Sequence, residues 1–194
     1  MSKIEIKDLY LIFGRDKERA FRKLKKGESK AEILKSTNCT VAVQDANLSI
    51  NEGEIFVIMG LSGSGKSSLL RCLNKLVKPT RGEILLNGKD ILKVNDKELL
   101  QIRRKEFAMV FQHFGLLPHR TVVNNISFGL ELQGIGPEQR TQKALESMEL
   151  VGLKGYADMM VSELSGGMQQ RVGLARALTN DPEILLMDEA FNEK

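Results

Sequence analysis

The sequence predicts an α/β fold with a parallel core sheet, an antiparallel β subdomain and a helical subdomain, and three observations predict it. Residues 55–59 (IFVIM), 107–111 and 184–187 are short, continuous apolar runs, the pattern of strands buried on both faces of a parallel sheet. Asn87-Gly88 sits between apolar flanks, a strong hairpin signal. Residues 121–153 read as helical throughout, with no strand to interrupt them.

In chain order, residues 4–13 have strand character and the basic segment 15–30 follows. Ser29 with Glu32 fits a capping box that opens a short helix through Leu34. Residues 41–50 read as a second strand, ended by the turn at Asn51-Glu-Gly53. The run 55–59 is expected to be a central strand. After it, Leu69, Leu70, Leu73 and Leu76 recur at helical spacing over 66–76, and Lys78-Pro-Thr-Arg-Gly82 ends that helix. Asn95 with Glu98 fits a second capping box, and the strand 107–111 runs straight into Gln112. In the helical block Pro137 is an early helical residue and Gly152 a stop. Residues 165–180 form a last helix, leading through Asp181-Pro182 to the strand 184–188. The expected divisions are 1–40, 41–115, 116–161 and 162–194.

Composition sets the function classes. At 194 residues, 42% hydrophobic and 28% charged, the chain has the makeup of a soluble globular protein with room for one sizeable α/β domain or two small ones. No apolar run approaches the ~20 residues of a bilayer span, and MSKIEIKDLY lacks the apolar core of a signal peptide, so a cytoplasmic location is expected. Cys39 and Cys72 stand without a CxxC or histidines at ligand spacing, which argues for reduced thiols. The net charge is +4, concentrated in 15–30, where acidic residues interrupt the run and only Phe21 could stack on a base. That pattern is a solvated helix face, and no nucleic-acid partner is expected.

Three constellations carry chemistry. Gly60-Leu-Ser-Gly-Ser-Gly-Lys-Ser67 is a full match to GxxxxGK[ST] between a predicted strand and a predicted helix. Its glycines let backbone N–H groups close around a phosphate chain, Lys66 supplies a cation for the terminal phosphates, and the Ser67 hydroxyl can ligate Mg²⁺. Asp188 and Glu189 follow the apolar run 184–187. Carboxylates there can hold Mg²⁺ and polarise an attacking water, or simply cap a turn. Leu164-Ser-Gly-Gly-Met-Gln-Gln-Arg171 puts Ser165, Gly166 and Gly167 at a helix start, which is either an anion site or an ordinary N-cap.

Taken in order, GLSGSGKSS, VFQ ending in Gln112, LSGGMQQR and ILLMDE resemble the ATP-binding subunits of ABC transporters. The resemblance implies a P-loop ATPase that binds ATP and Mg²⁺. Gly60, Ser62, Gly63, Ser64, Gly65, Lys66, Ser67 and Ser68 would belong to the Walker A loop, Gln112 would be the Q-loop residue, Asp188 the Walker B acid and Glu189 the general base. Lys66, Gln112 and Glu189 would act in catalysis, and Ser67, Gln112 and Asp188 on the metal. Ser165, Gly166 and Gly167 would close over ATP held by a second subunit in a head-to-tail dimer.

Residues 14–40 add a narrower likeness, since that piece resembles the ATPases of glycine betaine/proline uptake systems and most importer ATPases lack it. Met168 agrees with that group. Phe13 falls where the family places the aromatic that stacks on adenine, the other reading being a core strand residue. A transmembrane permease, met by the region 114–120, and indirectly an extracytoplasmic binding protein are the implied partners, at the cytoplasmic face of the membrane. A catalytically dead nucleotide-binding module and a soluble, non-transport ABC ATPase are the alternatives. A GTPase is disfavoured because Asn74-Lys75-Leu-Val77 lacks the aspartate of NKxD.

The likeness runs to Ala190-Phe191, after which Asn192-Glu-Lys replaces the expected Ser-Ala-Leu-Asp. Neither His113 nor His119 can stand in for the family's downstream switch histidine. The chain is therefore expected to be a fragment, with a gap between the Walker A and Walker B strands, low stability and little turnover.

Overall fold

β1 (Ser2–Phe13) organises the first of two compact units, Met1–Asp96 and Lys97–Lys194, into which the computed structural model divides. The structure describes residues 2–111 and 115–188. After β1 come α1 (Lys17–Lys25), α2 (Lys30–Thr37), β2 (Thr40–Asn51), α3 (Lys66–Leu73), β3 (Arg81–Leu86) and β4 (Lys89–Asp90). The strands form one antiparallel sheet in the order β2-β1-β3-β4. Ile4 lies opposite Ile50 on one side and Leu86 on the other, and Ile6 opposite Leu48 and Ile84. The apolar alternation of β1 is thus matched on both flanks, which fixes the register.

The two helices before β2 are fully integrated. Asp16 caps α1 by accepting from the Arg19 amide, and α2 opens with the predicted capping box, Ser29 and Glu32 each bonding the other's backbone. Ala20, Leu24 and Ile33 are buried against Tyr10, Ile12, Cys39 and Val41. Each large aliphatic side chain in such a cluster contributes roughly 1.5–3 kcal/mol. Phe21 meets Tyr10 edge-on at 5.1 Å, and Lys25 Nζ donates to the Tyr10 hydroxyl at 2.8 Å. Arg15 to Lys30 is therefore a solvated basic face over a packed apolar one.

The predicted hairpin is present between β3 and β4. Asn87 and Gly88 both have positive φ, 49° and 79°, as the mirror-image turn requires. α3 stops at Leu73, short of the predicted Leu76. Lys75 takes a left-handed conformation (φ 55°) while its ammonium donates to the Leu92 and Val94 carbonyls, and that turns the chain out of the helix.

The run 55–59 departs from expectation. It lies in no strand, and Ile55 and Met59 are 92% and 87% exposed. An apolar run becomes a buried strand only when neighbours supply ladder partners on its edges and cover on its faces. No strand among the described residues pairs with it.

The second unit contains α4 (Asp96–Lys105), β5 (Phe107–Val110), α5 (Val122–Ile126), α6 (Phe128–Leu132), α7 (Pro137–Leu150), α8 (Gly166–Leu178) and β6 (Ile184–Met187). β5 and β6 are parallel, with Phe107 beside Ile184 and Val110 beside Met187. The helical block is real but divided into three, with Pro137 in the first turn of α7 and Gly152 at φ 69° just past its end. Its core joins Val122, Ile126, Met148 and Leu153 to Val172 and Ala175 of α8. Further along α8, Leu174 and Ala177 pack with Ala108, Val110, Leu185 and Met187 of the parallel pair. Among the described residues no helix is long and apolar enough to cross a membrane.

Candidate functional site

Gly65 sets the geometry of the P-loop. It precedes α3 with φ 101° and no side-chain cap. A Cβ there would collide with the Ala42 carbonyl of β2, so the loop can lean on β2 only because residue 65 is glycine. The first bond of the α3 ladder runs from Leu69 N to Gly65 O at 2.9 Å. The amides of Lys66, Ser67 and Ser68 therefore precede the ladder, at the positive end of the helix dipole. Lys66 Nζ folds back on the loop, donating to the Gly60 and Leu61 carbonyls at 3.0 and 3.2 Å.

This arrangement fits a phosphate chain: amides at a helix start, a lysine over the loop, and a cleft of about 480 Å³ beside them. Its walls include Lys30, Ala42, Asp45, Gly60, Gly65 and Lys66. Ser64 lies on the same walls, while Ser62, Gly63, Ser67 and Ser68 belong to the adjoining loop and helix start. Phe13 is 43% exposed at the end of β1, opposite Thr40, so it is no core residue, and it does not line this cleft.

In the second unit, Ser165 caps α8, its hydroxyl accepting from Met168 N at 3.4 Å. A Cβ added to Gly166 or Gly167 would meet nothing within 4 Å, so no packing among the described residues requires glycine there. Asp188 follows β6, is 1% exposed, and its amide donates to the Val110 carbonyl at 3.0 Å. The ends of β5 and β6 are thereby tied together. Gln112 and Glu189 lie outside the described residues.

Beyond β5, Arg176 of α8 donates to the Gly115 carbonyl at 2.8 Å, and burial lowers the pKa of its guanidinium. The buried Asn125 side chain accepts from Leu117 N and donates to the carbonyls of Leu117, Arg120 and Thr121. Arg120 is paired with Glu131 at 2.6 Å, which holds that carboxyl below its ordinary value. Residues 115–121 are therefore braced from α5, α6 and α8. Sequence reasoning missed Arg176, Asn125, Lys30 and Asp45 as part of these surroundings. No spacing rule links residues so far apart, and for Asp45 only its positive φ (51°) sets it apart.

In the first unit Ser67 offers a hydroxyl oxygen, and in the second Asp188 a carboxylate oxygen, each a hard donor of the kind that suits Mg²⁺. Among the described residues no cluster of three or more His, Cys, Asp or Glu assembles.

The family model described as ABC transporter matches residues 43–192. The chain belongs to the ABC transporter family. This ABC chain is 58% identical over 192 residues to the glycine betaine/carnitine transport ATP-binding protein GbuA of Listeria monocytogenes, covering 99% of this chain and 48% of that relative. It is also 58% identical over 190 residues to the glycine betaine/proline betaine transport system ATP-binding protein ProV of Escherichia coli, covering 98% and 48%. It thus spans about half the length of the curated relatives it matches. The solved dimeric structure of a bacterial ABC transporter cassette superposes with a TM-score of 0.80 at 34% identity, over 96% of this chain and 74% of that one. The ABC ATPase fold expected from the motifs is therefore correct, and the run 55–59 is where this chain's own structure departs from the expected sheet.

Proposed function

We propose that this chain is the ATP-binding part of an ATPase subunit that energises import of glycine betaine- or proline-like osmoprotectants. The observation that carries the nucleotide reading is the P-loop at α3, where Gly65 and the Ala42 carbonyl hold the helix start open beside the cleft. The substrate class is supported by identity to relatives named for glycine betaine transport, over alignments long enough to include the insertion 14–40.

In this reading Lys66 and the amides of Gly63, Gly65, Lys66, Ser67 and Ser68 bind and orient the phosphates of ATP. Bound Mg²⁺ would neutralise phosphate charge, held by Ser67, Gln112 and Asp188. Glu189 accepts the proton of the attacking water, and Phe13 stacks on the adenine from its exposed position. Ser165, Gly166 and Gly167 serve the site of a second copy, the open space above both glycines leaving room for it. The braced segment 115–121 faces a transmembrane permease, and the subunit works peripherally at the cytoplasmic side of the membrane, with an extracytoplasmic binding protein delivering solute.

Two measurements test this. Calorimetric titration of the 194-residue chain should detect MgATP binding, and Lys66→Ala should weaken it at least ~10-fold. Membrane vesicles from a strain deleted for the gene should lose ATP-dependent glycine betaine uptake. Unchanged uptake would refute the transport assignment.

A further inference from the structure

The insertion before β2 brings a lysine to the nucleotide cleft. Lys30, the first residue of α2, borders the same cleft as Gly60, Gly65 and Lys66. We propose that Lys30 is a further phosphate-positioning residue, a second cation that the insertion adds to the one supplied by Lys66. The proposal rests on the nucleotide reading above.

Three features support it. The start of α2 is fixed: Glu32 accepts from both Ser29 N and Ser29 Oγ, at 2.8 and 2.7 Å, and the buried Ile33 anchors the first turn to the core of the insertion. Lys30 is exposed, and no hydrogen bond or ion pair to another described residue engages its ammonium, so a four-carbon stem on a fixed base remains to swing toward an anion. Asp45 also borders the cleft, and its negative charge already acts on Lys25. Lys30 thus adds a cation to a cleft whose other lysine, Lys66, is occupied with the loop carbonyls.

The test is equilibrium titration of the 194-residue chain and its variants with MgATP, ADP and adenosine. Lys30→Ala should weaken MgATP binding about 3- to 10-fold, Lys30→Glu more, and Lys30→Arg less than about twofold, while adenosine affinity stays level in all three. Misfolding cannot produce this pattern in Lys30→Glu, because an acidic side chain in the first turn favours the helix dipole of α2. MgATP affinity unchanged by Lys30→Glu, or adenosine affinity falling in parallel, would overturn the role of Lys30 and leave the nucleotide reading standing. An unaltered chain that binds no ATP would remove both.

Discussion

The starts of α3 and α8 both carry glycine, and they do so in opposite settings. At α3, Gly65 has φ 101° and a Cβ would run into the Ala42 carbonyl. The protein's own backbone demands that glycine. At α8, Ser165 is an ordinary extended N-cap with a hydroxyl cap, and Gly166 and Gly167 border open space. Glycine costs a helix stability relative to alanine, and no contact among the described residues offsets that at α8. Gly65 is fixed by packing within the first unit, whereas Gly166 and Gly167 meet no described neighbour.

The comparison can be broken most directly at Gly65. Gly65→Ala should abolish measurable MgATP binding and lower the urea midpoint, because it combines a left-handed φ with a backbone collision, strain of ~1–3 kcal/mol even after relaxation. Normal binding would mean that the close approach to β2 does not shape the loop. At α8 the effects should separate. Gly167→Ala should raise the stability of the chain by a few tenths of a kcal/mol, up to ~1, yet lower ATP turnover of the assembled transporter at least ~10-fold. Turnover that rose or stayed level would show that the open space serves no partner.

The smallest effect concerns the buried side of α3. Burial pushes the Cys72 thiol up to about 11, so the native chain should resist thiol-specific alkylation at pH 8 and react once unfolded in urea. The sign of the pH dependence follows. The unfolded thiol ionises at its ordinary value while the native one stays protonated, so stability present in neutral solution is lost as pH rises toward 11. Urea midpoints at pH 8 and pH 10 check it.

What the sequence made legible was local. The P-loop, the Ser29–Glu32 box, the Asn87-Gly88 turn and Pro137 at the start of α7 all depend on residues within a few positions of one another. What it did not reveal was pairing at a distance. The apolar run 55–59 met every local criterion for a buried strand, and still burial is decided by neighbours that its own composition cannot supply. Lys30 and Lys66 are likewise joined only by the fold. Motif residues stand out in a sequence because chemistry constrains their spacing, whereas cleft walls such as Asp45 depend on the fold.

α8 is shared by two apolar clusters. Val172 and Ala175 belong to the helical one, and Leu174 and Ala177 to the parallel pair that ends at Asp188. Its 13 residues make a rod about 20 Å long, with the Ser165 cap at one end and the strands packed near the other. One rod thus fastens the helical cluster to the parallel pair, and Arg176 near its base also grips the Gly115 carbonyl.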